Sequence, residues 1–88
     1  MEPNSFGVYL KALRKAKGVS SSHKLSFLSG VSQTFIVHLE LGKRIPSPEI
    51  IRKLSTALGV SHIGMMIKAG HLTLEEVLAV RTKHGIED

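Results

Sequence analysis

The sequence predicts an all-α domain of five or six short, compactly packed helices, and three observations carry that prediction. Apolar residues recur at helical spacing, serine or threonine stands where each helix would begin, and glycine stands where it would end. Glycines 18, 30, 42, 59, 70 and 85 mark the expected exits.

The first helix is expected after Asn4 or Ser5 as cap and reaches Gly18. Phe6, Leu10 and Leu13 fall at i, i+4 and i+7 and form its core stripe, with Lys11, Lys15 and Lys17 elsewhere on the cylinder. Lysines in the last turn also suit the helix dipole. Val8 and Tyr9 are the two residues of this helix whose surroundings the stripe does not assign. Either they pack on the C-terminal segment or on a second subunit, or they are isolated exposed residues.

The stretch from Ser21 to Arg44, SSHKLSFLSGVSQTFIVHLELGKR, organises the rest. Leu25 with Leu28 and Ile36 with Leu39 mark the inner faces of two short helices, and Val31 plugs the corner between them. Ser26 is the small residue at their close approach, and Gly30 bends the chain because it takes positive φ without steric cost. Ser20 or Ser21 caps the second helix, Ser32 caps the third, and Gly42 follows Leu41 at its end. Two helices joined this way are the simplest device for placing an α-helix in the DNA major groove. Gln33, Thr34, Val37 and His38 then face outward, with Phe35 across the rim of the core. Gln33 can form two hydrogen bonds with adenine, Thr34 can bond a base or touch a thymine methyl, and Val37 offers an apolar contact only. His38 can donate to guanine N7 or to a phosphate, and its protonation would tighten binding at lower pH.

In this register the segment resembles the helix-turn-helix of the Cro and phage-repressor (Xre-like) family. The likeness extends to FGVYLKALRKAKG at 6–18 and to LELGKRIPSPEIIRKLSTALGV at 39–60. It implies a repressor-like DNA-binding domain with the helix-turn-helix as its second and third helices. It further implies an ion pair between Arg14 and Glu40 that is structural rather than catalytic, and phosphate contacts from Ser22, Ser32, Lys43 and Arg44. The chain departs from the family at Ser22, where a longer glutamine often reaches phosphate, and at Leu41, where a polar residue is usual. Either affinity is lower or Leu41 packs against something.

Ser47 caps the fourth helix with Pro48 at its first position, and Ile50, Ile51, Leu54, Ala57 and Leu58 form its buried stripe before Gly59. Ser61 caps the fifth, in which Ile63, Met66 and Ile67 are expected in the core and Met65 on a partner surface or in the core. A last helix is expected from Thr73, capped reciprocally with Glu76, to about His84, with Leu74, Val77, Leu78 and Arg81 on one face. Residues 1–70 form the expected DNA-binding domain, and 71–88 an extension that dimerises, binds a regulatory protein or closes the core.

Charge divides along the same line. Residues 1–70 hold ten Lys/Arg against Glu2, Glu40 and Glu49, a balance of +7, whereas 71–88 hold two against four, −2, giving +5 in all. A basic domain suits a polyanion, because neutralised phosphates release counterions; by charge alone a solvated basic surface is an equal reading. No cysteine is present, so disulfides and thiolate metal sites are excluded. The five histidines lack paired ligand spacing, the glycines form no phosphate loop, and Ser21-x-x-Lys24 is a chance match, so neither enzyme nor cofactor is expected. No apolar run nears the ~20 residues of a membrane span, and the N-terminus lacks a signal-peptide pattern, which favours a cytoplasmic protein. The expected function is a sequence-specific transcriptional regulator, a repressor of phage or mobile-element type acting as a homodimer on duplex DNA. The alternative is a protein-interaction module, an adaptor, anti-regulator or antitoxin, on the same fold with weakened DNA contacts.

Overall fold

The computed structural model describes residues 3–70, with side chains from Phe6 onward. Five helices follow in order: α1 (Pro3–Ala16), α2 (Ser22–Ser29), α3 (Gln33–Glu40), α4 (Pro48–Leu58) and α5 (His62–Lys68). No strand occurs among the described residues. The helix expected at 73–84 lies outside them. Pro3 opens α1, so Asn4 and Ser5 sit inside the helix rather than capping it; a proline at the first position gives up no hydrogen bond.

Four serines start the remaining helices in the same way. Ser21, Ser32, Ser47 and Ser61 each accept, through Oγ, the backbone N–H three residues on, at 3.0, 3.1, 3.2 and 3.0 Å. This decides between Ser20 and Ser21. Gly30 and Gly59 end α2 and α4 in the left-handed conformation, at φ 77° and 67°, where a side chain would be strained.

One core runs through the five helices: Phe6, Leu10, Val19, Leu25, Val31, Ile36, Leu39, Ile51, Leu54, Leu58 and Met65 are buried. Two expectations need correction. Leu28 is 47% exposed, because α2 packs through Ser22, Leu25, Ser26 and Ser29, whose positions cluster on one side of the helix and leave Leu28 at the edge. Three serines on that face let α2 lie close to its neighbours. In α5 the fully buried residue is Met65, while Met66 packs against the core from its edge and Ile63 and Ile67 are half-buried. Met65 and Ala69 share the inward side of the helix, and Ile63 and Ile67 are turned away from it. The Tyr9 ring packs tilted against Phe6 with centroids 5.8 Å apart, and the Lys68 ammonium lies 5.7 Å from its centre. Burial pushes its phenol above the ordinary value. Val8, by contrast, stays 67% exposed.

Helix α3 is held from behind by α1 through two contacts. Arg14 donates from Nε to Glu40 Oε2 at 2.8 Å and from Nη2 to Oε1 at 3.1 Å, while Nη1 donates to the Val19 carbonyl at 3.0 Å. Both side chains are nearly enclosed, at 6% and 10% exposure. The second contact is backbone to backbone. Gly7 lies so close to the end of α3 that a Cβ there would meet the Leu39 and Glu40 carbonyl oxygens at 2.5 and 2.6 Å.

Two stability predictions follow from this junction. Gly7→Ala should lower stability by about 1–3 kcal/mol in urea titration, because overpacking outweighs alanine's better helix propensity; an unchanged or higher midpoint would sink the close-approach account. Glu40→Ala leaves the Arg14 charge buried without its partner and should cost about 3–5 kcal/mol. An unaltered melting temperature would mean the fork contributes nothing.

Candidate nucleic-acid interface

Helices α2 and α3 meet at their N-termini. Ser22, the first residue of α2, accepts a hydrogen bond at 3.4 Å from the Gln33 side-chain amide at the first position of α3. The first backbone N–H groups of a helix have no intrahelical acceptor, so this link gathers two sets of them on one side of the domain. Ser22 and Ser32 each use an oxygen lone pair inside the fold, toward Gln33 and the Phe35 N–H.

Along α3 the inner and outer rows separate cleanly. Ile36 and Leu39 are fully buried, Phe35 packs against the core from its rim, Gln33, Thr34 and Val37 are exposed, and His38 is half-buried. Leu41 caps the helix and is 60% exposed, so most of its side chain is left outside the core of the described domain. Beyond it the chain turns through Gly42, held by the Lys43 N–H donating to the His38 carbonyl at 2.9 Å. Lys43 and Arg44 therefore project from a loop tied to the last turn of α3, and with Gly42 and Ile45 they border a shallow surface depression. The positions expected at phosphates thus lie next to the two ends of α3, Ser22 and Ser32 at its start and Lys43 and Arg44 just past its end.

A helix-turn-helix family model matches residues 10–64, spanning α2, α3 and the helices that buttress them. The chain belongs to the helix-turn-helix family. It is 41% identical over 81 residues to the HTH-type transcriptional repressor RghR of Bacillus subtilis (strain 168), an alignment covering 91% of this chain and 58% of that protein. It is 37% identical over 54 residues to the uncharacterized HTH-type transcriptional regulator y4dJ of Sinorhizobium fredii (strain NBRC 101917 / NGR234), covering 61% of this chain and 69% of that one. The chain thus spans little more than half the length of the Bacillus repressor.

Within this helix-turn-helix frame some features were not read from the sequence. The Ser22–Gln33 link was missed because its partners lie eleven residues apart and neither side chain specifies the other. Gly7 did leave a signal, since a lone glycine inside a helical pattern is unfavourable unless something packs on it. Phe27, on α2, is 84% exposed, and its place two residues after Leu25 on a short helix already puts it opposite the core. No described helix is long and apolar enough to cross a membrane.

Proposed function

We propose that this protein binds duplex DNA sequence-specifically as a homodimer and represses transcription. Helix α3 occupies the major groove, with Gln33, Thr34, Val37 and His38 at base edges. Ser22, Ser32, Lys43 and Arg44 hold the flanking phosphates. The observation that carries this reading is the junction of the two helix N-termini through Ser22 and Gln33 beside the Lys43–Arg44 loop. Unpaired helix-start N–H groups near one end of the exposed α3 row and two cations near the other support this reading, as does the positive balance of residues 1–70. The match to a transcriptional repressor in Bacillus supports the regulatory role. Two copies would read half-sites about 34–36 Å apart and exclude polymerase sterically. Ser22 is short, but its hydroxyl and the neighbouring N–H groups supply the contact that a glutamine would otherwise make.

A protein-interaction role on the same fold is the second reading, favoured by the exposed Phe27, Val37 and Leu41. Enrichment of binding sites from randomised duplex DNA at near-physiological salt separates the two. The expected product is an inverted repeat with half-sites one helical turn apart; recovery of unenriched sequence would move the function to the second reading.

Single substitutions then distinguish reading from gripping. Gln33→Ala should flatten preference at one position of each half-site, with about 1–3 kcal/mol lost against the best base. Lys43→Ala should weaken all sequences alike and reduce the slope of log affinity against log salt by about one. Fluorescence anisotropy on a panel of single-base operator variants at several salt concentrations measures both.

A further inference from the structure

The outward row of α3 does not stop with the last helical residue. Leu41 closes the helix in a right-handed conformation, at φ −85° and ψ −3°, and its N–H donates to the Val37 carbonyl at 3.0 Å. Its side chain therefore keeps the helical direction, and Thr34, Val37 and Leu41, at i, i+3 and i+7, align along one side. Thr34 is exposed, and Val37 and Leu41 are 36% and 60% exposed. The last two carry neither donor nor acceptor.

We propose that Leu41 is a further specificity-determining residue, which together with Val37 reads the C5 methyl groups of thymine in the major groove. This rests on the DNA-binding reading given above and names what the apolar part of the row recognises. The thymine methyl is the apolar group that a base edge presents in that groove, so an apolar side chain facing the bases has that feature to select. Charge points to DNA, rather than an apolar protein surface, as the occupant. Lys43 and Arg44 follow Leu41 within three residues. Glu40, the one acid between 33 and 45, is 10% exposed and held by both oxygens on Arg14. A phosphate-lined groove closing on this row therefore meets cations and no free carboxylate.

Spacing narrows the target. With α3 lying along the groove, the four residues from Val37 to Leu41 advance about 6 Å, close to the ~6.8 Å of two base-pair steps. Thymine methyls about two base pairs apart, on either strand, fit the two side chains together. Leucine also carries its methyl groups one bond further from the backbone than valine, which extends the reach of the row at its end.

Uracil pairs as thymine does and lacks only the methyl, so it isolates the contact. Anisotropy is measured on the operator recovered by enrichment, with each thymine of one half-site replaced by uracil in turn. The unmodified protein should lose about fourfold in affinity at two positions. In Leu41→Ala the loss should vanish at one of them, in Val37→Ala at the other, and in Lys43→Ala at neither. The penalty that Leu41→Ala retains at the Val37 position shows that the variant is folded and seated. Full uracil penalties in Leu41→Ala overturn the proposal, as does a half-site in which no thymine is sensitive to uracil. Where the unmodified protein enriches an operator, either result rejects the Leu41 contact and leaves the DNA-binding reading standing. Where it enriches none, both are rejected, and the exposed row belongs to a protein partner.

Discussion

The fork between Arg14 and Glu40 fixes the orientation of α3, and most of what the domain can do depends on that orientation. A guanidinium holding a carboxylate at two points resists rotation as well as separation, which a single contact would not. The third hydrogen bond, to the Val19 carbonyl, ties the chain leaving α1 into the same knot. Gly7 brings the backbones of α1 and α3 together without an intervening side chain. Polar direction and steric distance are therefore set at the same junction. Both helices also contribute to the core, through Phe6 and Leu10 on one side and Ile36 and Leu39 on the other.

Much of this was legible in the sequence because it is encoded locally. A serine that caps a helix and a glycine that ends one act within four residues, so their meaning does not depend on the rest of the fold. Leu25, Val31, Ile36 and Leu39 were likewise legible, since their spacing leaves little choice of inward face. The failures occur where a short helix offers two candidate faces. In α2 the leucines suggested one face, but the serines decided it by permitting close approach. In α5 bulk suggested Ile63 and Ile67, but Met65 is the residue fully buried on a helix that packs against α4 and α1. An eight-residue helix makes barely two turns, and its apolar pattern cannot outvote the geometry of its neighbours.

The candidate interface was legible as a set of residues and illegible as an arrangement. Outward positions on α3 follow from knowing which ones point inward, so Gln33, Thr34 and Val37 needed no tertiary information. The joining of Ser22 to Gln33 did. It depends on the crossing of two helices, which the glycine turn permits but does not dictate. Phe27 and Leu41 are the apolar residues left most exposed on or just after α2 and α3.

Holding α3 from its inner row has a consequence for how such a domain can diverge. The buried Ile36 and Leu39 and the nearly enclosed Glu40 bear the mechanical load, while Thr34 and Val37 are exposed. Outward side chains can therefore be exchanged one at a time while the scaffold stays still. Gln33 is the exception, because its amide also braces Ser22. A lineage exchanging this outer row would retain position 33 longest and change 34 and 37 first.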